Sequence, residues 1–226
     1  MFSELVIKFM PDDNDGSILD LACGTGSLAI NLAKNGYDVT GIDMSSEMIE
    51  IAKLKKNSLR GVRFELANML NPNLDKRFSV VTCAFDSVNY LLNESDLKKM
   101  FSSAYKHLNP KGRFIFDFNT EKAYKNNNNF EIRRILPGGY YDHKMQYDTN
   151  TNLAHTSFEF YDGQWELHIQ KPYEHQQVVE ILEEVGFEIL FSFKNFKGEP
   201  VKKESDRIFI VAEKPGIGIK KNMVKY

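Results

Sequence analysis

Ile18-Leu19-Asp20-Leu21-Ala22-Cys23-Gly24-Thr25-Gly26 is the stretch on which the reading of this chain turns. Four of its first five residues are apolar, the pattern of a strand buried on both faces, and the exception is a carboxylate near the strand's end. Two glycines then open a turn, and Ser27–Asn35 follows with helix-forming residues up to Gly36. Glycine lets backbone N–H groups come close to a ligand and adopt conformations that a side chain would forbid. A buried strand, a glycine turn and a helix in that order make a nucleotide-type cradle at a helix N-terminus.

The rhythm continues outward from this segment. Met1–Met10 is a short apolar helix candidate before a Pro/Asp/Asn/Gly turn, and Ser17–Leu21 is the first strand. Tyr37–Asp43 reads as a second strand, Ser45 as the N-cap of a helix reaching Lys56, and Val62–Leu66 and Phe78–Cys83 as strands three and four. Leu97, Met100, Phe101, Ala104 and Leu108 recur at helical spacing, Asn109-Pro110 closes that helix, and Arg113–Phe118 gives a fifth strand. Alternating strands and helices imply an α/β fold, a mostly parallel sheet with helices on both faces. From Thr120 to Gln170 the helical period is lost. Turn signals separate antiparallel strands expected near Tyr140–Tyr147, Leu153–Tyr161 and Gln164–Gln170. A helix at Glu174–Val185 and strands at Phe187–Phe196 and Arg207–Glu213 complete the pattern. The expected division is a core of residues 1–119 and 173–213, a small antiparallel β insertion at 120–172, and a frayed tail at 214–226.

Composition narrows the function classes. Of 226 residues, 42% are hydrophobic and 27% charged, which suits a globular chain with a real core. Twenty-nine basic against 31 acidic residues leave no basic surplus of the kind that marks a nucleic-acid binder. No apolar run reaches the ~20 residues of a membrane span, and no signal peptide is legible, so a cytoplasmic location with reduced thiols is expected. Cys23 and Cys83 read as packing residues, and no His/Cys spacing suggests a metal site.

Asp43 stands 17 residues after Gly26 at the end of strand two, where a carboxylate can accept hydrogen bonds from both hydroxyls of a ribose. Together with the glycine turn it indicates a ligand containing a nucleoside. Gly24-x-Gly26-x-x-Ala29 also meets the loose dinucleotide fingerprint, so these residues alone leave the choice of ligand open.

Asp20-Leu-Ala-Cys-Gly-Thr-Gly26 resembles the first motif of class I S-adenosylmethionine-dependent methyltransferases. Val39-Thr-Gly-Ile-Asp43-Met-Ser-Ser resembles their second, Phe78–Cys83 with Phe85–Tyr90 the fourth, and Leu108–Phe114 the turn into strand five. The resemblance implies a Rossmann-like sheet of seven strands, the last antiparallel, with S-adenosylmethionine across the C-terminal ends of strands one, two and four. It implies that Asp20 organises the loop and approaches the methionine ammonium, and that Ala22, Cys23 and Gly24 line the amino-acid half. It further implies that Asp43 binds the ribose, Met44 packs on the adenine, Asn68 and Met69 contact the adenine edge, and Phe85 forms a wall after strand four. Ala22 stands where a glycine is common in the family. About sixteen residues precede strand one, fewer than in many relatives.

Two residues are expected to serve catalysis. Trp165, Leu167 and Ile169 alternate with Glu166, His168 and Gln170, which gathers three polar groups on one strand face. His168 from this inserted roof and Tyr90 after strand four are expected to face an acceptor pocket from opposite sides. The resemblance points to a small-molecule acceptor methylated at N or O. No Asn-Pro-Pro-Tyr-type sequence follows strand four, which argues against a nucleobase amine. Two alternatives stay open on sequence: an NAD-dependent oxidoreductase sharing the first 45 residues, and a methyltransferase-like domain that binds without turnover.

Overall fold

The computed structural model describes residues 1–216 as two sheets and six helices. In chain order the elements are α1 (Phe2–Lys8), β1 (Ser17–Leu21), α2 (Ser27–Lys34), β2 (Asp38–Asp43), α3 (Ser46–Lys56), β3 (Val62–Leu66), β4 (Phe78–Cys83), α4 (Glu94–His107) and β5 (Leu108–Asn119). A 3-10 turn at Ser87–Tyr90 lies between β4 and α4. There follow α5 (Glu121–Asn126), β6 (Phe130–Leu136), β7 (Gly139–Asp148), β8 (Leu153–Phe160), β9 (Trp165–Gln170), α6 (His175–Val185), β10 (Glu188–Phe193) and β11 (Arg207–Glu213).

The large sheet has seven strands in the order β10-β11-β5-β4-β1-β2-β3, parallel except for β11, which runs antiparallel to both neighbours. Strands β1 and β4 are buried along their whole length, as continuous apolar runs covered on both faces should be. One face carries Leu97, Met100, Phe101 and Ala104 of α4 with Val178 and Leu182 of α6. The other carries Phe2, Leu5 and Val6 of α1 with the apolar sides of α2 and α3. Each fully buried Leu or Phe in these layers contributes about 1.5–3 kcal/mol. Helix α3 begins where Ser45 Oγ accepts the N–H of Met48 at 3.1 Å. Among the described residues no helix is long and apolar enough to cross a membrane.

The second sheet is a four-stranded antiparallel meander, β6-β7-β8-β9. It departs from the sequence reading in two ways. Helix α5 stands in a stretch expected to lack helix, because six residues are too few to display a period. The edge strand β6 was not anticipated, since its apolar residues are interrupted by Glu131, Arg133 and Arg134 and it is largely exposed. Strand β5 also begins at Leu108, immediately after α4. Asn109-Pro110 lies within an irregular first segment in which Leu108 pairs with Phe78 and Lys111 takes φ 64°. Lys214, the first residue of the tail expected to fray, is held: its N–H and C=O bond Gly112 and Lys111, and its ammonium reaches the Tyr105 and Leu108 carbonyls. Residues 217–226 of that tail lie outside the described residues.

Candidate active site

The turn after β1 is built by backbone bonds to β2. Cys23 N–H donates to Ile42 O at 2.8 Å, and Gly24 N–H donates to Asp43 Oδ2 at 2.8 Å. The other oxygen of Asp43 accepts the Ser45 N–H at 3.0 Å. A carboxylate has about four acceptor positions, so Asp43 holds the loop and keeps capacity for two ligand hydroxyls. Gly24 has φ +53° with open space where a Cβ would stand, and at Gly26 (φ +74°) a Cβ would fall 2.4 Å from the Phe64 ring. Ala22 also takes a left-handed conformation, φ 52°. An L-residue pays about 1 kcal/mol there. Ala22→Gly should therefore raise thermal stability by up to about 1 kcal/mol, read from a denaturant midpoint at unchanged slope. A loss of stability would show that the Ala22 methyl packs favourably enough to outweigh its strain.

Asp20 is 2% exposed. Its Oδ1 accepts the Thr82 hydroxyl at 2.7 Å, while Oδ2 is buried with no partner in the protein. Burial pushes its pKa up to about 7, the Thr82 bond opposes the shift and the nearby Asp43 adds to it. A half-satisfied buried carboxylate is costly by itself, and a cation set against Oδ2 would remove that cost. Burial and the neighbouring carboxylates Asp20 and Asp43 push the Cys23 thiol up, and burial does the same to Cys83, so neither is a nucleophilic thiolate.

Beside Asp43 opens a cavity of about 240 Å³, lined by Ala22, Asp43, Met44, Ala67, Asn68, Met69, Leu70, Tyr90 and Leu91. Met44 is 76% exposed, a large apolar side chain left uncovered at the mouth. Asn68 Oδ1 accepts the Leu70 N–H at 2.9 Å, and the second lone pair of that oxygen is available to a ligand. A larger hollow of about 700 Å³, between α5, the start of α6 and residues 201–205, contains none of the residues expected from sequence. The smaller cavity is the candidate site, because it lies at the C-terminal ends of β1 and β2, beside the switch point where the strand order reverses. Of the expected cofactor residues, Asp20, Cys23, Gly24 and Phe85 are not among those that line it. The Phe85 ring is 57% exposed and packs 5.6 Å from that of Phe2, on the α1 side.

The segment after β4 is held by a clamp. Phe85 (φ 60°) and Asp86 (φ 51°) are both left-handed, and their N–H groups donate to Asp117 Oδ1 at 2.7 Å and Oδ2 at 3.2 Å. Two consecutive non-glycine residues in this region cost about 1–2 kcal/mol each and persist only where the surroundings fix them. Asp117 is fully buried in β5. Arg207 Nη1 meets it at 3.1 Å and Arg207 Nη2 also bonds Asp86. Burial raises the Asp117 pKa to about 6 despite Arg207, with Asp86 adding to the rise. Gln170 at the end of β9 donates to Asp86 Oδ2 at 2.8 Å, and Asn89 Nδ2 bridges the Asn119 and Lys171 carbonyls at 2.9 and 2.8 Å. The second sheet is thereby fastened to the loop that carries Tyr90. Asp117→Ala leaves Arg207 Nη1 and two backbone N–H groups without their acceptor, and should destabilise the protein by about 3 kcal/mol in a denaturation curve. A change below about 1 kcal/mol would contradict the clamp.

Tyr90 and His168 do not face one another across a pocket, as the sequence suggested. They are bonded to each other, Tyr90 Oη to His168 Nδ1 at 2.7 Å, and His168 Nε2 lies 3.3 Å from Glu166 Oε2. Burial, with Asp86 and Glu166 nearby, pushes the Tyr90 phenol up to about 12, so it is protonated at neutral pH. With the Tyr90 hydroxyl donating to Nδ1, the neutral His168 ring carries its hydrogen on Nε2, toward Glu166. Sequence reasoning missed Asp117, Asp86 and Arg207. The signal for Asp117 was present, a lone carboxylate in the apolar run Phe114–Phe118, the same anomaly that marks Asp20 in β1.

Known proteins with this arrangement settle the family. A family model described as a methyltransferase domain matches residues 18–112. The crystal structure of an S-adenosylmethionine-dependent methyltransferase from Clostridium acetobutylicum ATCC 824 superposes with a TM-score of 0.83 at 29% identity, covering 95% of this chain and 91% of that one. YqeM of Bacillus subtilis (strain 168), which carries the name of a methyltransferase, is 31% identical over 216 residues, 88% of this chain and 84% of its own length. The chain belongs to the S-adenosylmethionine-dependent methyltransferases. A glycine/sarcosine N-methyltransferase of Halorhodospira halochloris is 28% identical over 87% of this chain and 75% of its own. The oxidoreductase alternative falls with this assignment, and S-adenosylmethionine is the methyltransferase's cofactor.

Proposed function

We propose that the methyltransferase moves a methyl group to a nitrogen or oxygen of a small molecule, held between the large sheet and the inner face of the antiparallel sheet. The observation that carries this reading is the Tyr90–His168 bond, which joins the loop after β4 to β9 at the edge of the candidate cofactor cavity. Residues 1–119 and 173–213 act as the donor-binding core, and 120–172 as a roof that selects the acceptor. A nitrogen acceptor agrees with the glycine/sarcosine N-methyltransferase name of the Halorhodospira relative.

The residues present fit S-adenosylmethionine. The unpartnered Asp20 Oδ2 suits the methionine ammonium, Gly24 leaves open space for the amino-acid half, and Asp43 has acceptor capacity for the ribose hydroxyls. Met44, Asn68 and Met69 line the cavity where the adenine would lie. When bound, the cofactor supplies an electrophilic methyl group on sulfur. The protein's part is to place an acceptor lone pair in line, keep water out and take a proton from an acceptor that arrives protonated. Tyr90 Oη can accept that N–H or O–H proton as its own passes to His168 Nδ1. The resulting imidazolium is stabilised by the Glu166 carboxylate.

His168→Ala and Tyr90→Phe each break this chain and should lower turnover by roughly a hundredfold, the lower end for general base catalysis. The double substitution should cost little more than either one, since both remove one pathway. S-adenosylhomocysteine release across an amine and hydroxyl acceptor screen gives turnover, and calorimetry gives cofactor affinity. Normal turnover in both single variants, with cofactor bound, would remove the relay from the mechanism.

A further inference from the structure

The two faces of the antiparallel sheet differ in kind. On the outer face Arg133 and Asp142 form a two-bonded pair at 2.8 and 2.7 Å, and Lys144 pairs with Glu131 at 3.2 Å. On the inner face the register sets His143 opposite Phe158, Tyr141 opposite Phe160 and Thr156 opposite His168. The rings form a continuous path away from Tyr90. His168 lies 5.8 Å from the Tyr90 ring, Phe158 5.4 Å from His168, and His143 stacks on Phe158 at 4.6 Å and 20°. Phe158 and His143 are half-buried, so part of each ring remains exposed. Burial, with the Arg134 guanidinium next in effect, holds His143 below the ordinary imidazole range, which favours its neutral ring. Beside His168 on this face is Glu166, with Asp86 also near Tyr90, carboxylates that suit an amine, while Arg134 stands opposite Tyr141 at the other end of the stripe.

We infer that this stripe binds the methyl acceptor, and that the acceptor is a planar aromatic amine. Its ring lies against Phe158 and His143, and its nitrogen sits at Tyr90 and Glu166. The inference rests on the reading of Tyr90 and His168 as the transfer end of the site. Offset or edge-on ring contacts favour a flat aromatic body over a saturated one of equal size, by roughly tenfold when two rings of the protein take part. A compact zwitterion such as glycine would leave the stripe uncovered.

The test uses 2-phenylethylamine, 2-cyclohexylethylamine and glycine, with the protein saturated by S-adenosylhomocysteine and affinities read by ligand-observed NMR. The phenyl amine should bind roughly tenfold tighter than its cyclohexyl analogue and tighter than glycine. Phe158→Leu should erase the preference while S-adenosylhomocysteine still binds as in the parent. Equal binding of the two ring amines, a preference for glycine, an unaffected Phe158→Leu protein, or no binding of any amine overturns the inference. Calorimetry of S-adenosylhomocysteine separates the two levels. Cofactor binding without an aromatic preference overturns the acceptor class alone, and absence of cofactor binding overturns the reading of the site beneath it.

Discussion

Replacing Asp43 with alanine is expected to weaken S-adenosylmethionine binding by one to two orders of magnitude while the chain stays folded. The side chain accepts the Gly24 and Ser45 N–H groups, and its remaining lone pairs are assigned here to the ribose hydroxyls. Hydrogen bonds to a charged group contribute about 1.5–3 kcal/mol each, and every 1.4 kcal/mol is a factor of ten in affinity. Loss of the Gly24 bond adds to this by releasing the turn that faces the amino-acid half. Asp43→Asn should fall between parent and alanine, because the amide keeps one acceptor oxygen. Titration calorimetry with a melting curve for each variant makes the comparison. Unchanged affinity in a folded Asp43→Ala protein would remove the residue from the site.

The second large effect has opposite signs for binding and stability. Asp20 is buried, with a pKa near 7 against 3.8 for the free side chain, so folding takes up a proton. Its contribution to stability falls as pH rises from about 4 to 7, and the cost is complete above 7. A cation against Oδ2 favours the ionised form, so cofactor binding should release a proton below about pH 7. Affinity at pH 5.5 should be roughly tenfold or more below that at pH 8. Asp20→Asn keeps the Thr82 bond and discards the charge. It should raise stability at pH 8 by roughly 1 kcal/mol or more, weaken the cofactor by about a hundredfold, and flatten the pH dependence. Calorimetry at several pH values in buffers of different ionisation enthalpy reads the proton release. An Asp20→Asn protein that binds as the parent does, with the same pH profile, would rule out an ammonium at this carboxylate.

How much of this was legible in the sequence depends on how local each signal is. The β1–turn–α2 unit and β2 could be read because burial on both faces leaves continuous apolar runs and the turn needs glycine where φ is positive. Asp20 and Asp43 stood out as carboxylates where apolar residues or turn polar groups belong. Strand β6 and helix α5 were hidden, since a short helix has no period and an exposed edge strand carries charges between its apolar residues. The side on which the Phe85 ring packs was not legible, for a conformational reason. The left-handed backbone of Phe85 turns the ring toward Phe2, and that conformation is imposed by Asp117, 32 residues away. The Tyr90–His168 bond spans 78 residues. The alternation of β9 put His168 on one face with Glu166 and Gln170, yet only the folding of the antiparallel sheet onto the β4 loop, through Gln170 and Asp86, brings that face onto Tyr90.

A crystal structure with bound S-adenosylhomocysteine tests the central assignment most directly. The methionyl ammonium is expected within hydrogen-bonding distance of Asp20 Oδ2, both ribose hydroxyls on Asp43, and the adenine between Met44 and Asn68. The sulfur should face the side of the cavity where Tyr90 meets His168. An ammonium remote from Asp20, or a sulfur turned away from Tyr90 with the Tyr90–His168 pair open to bulk solvent, would contradict it.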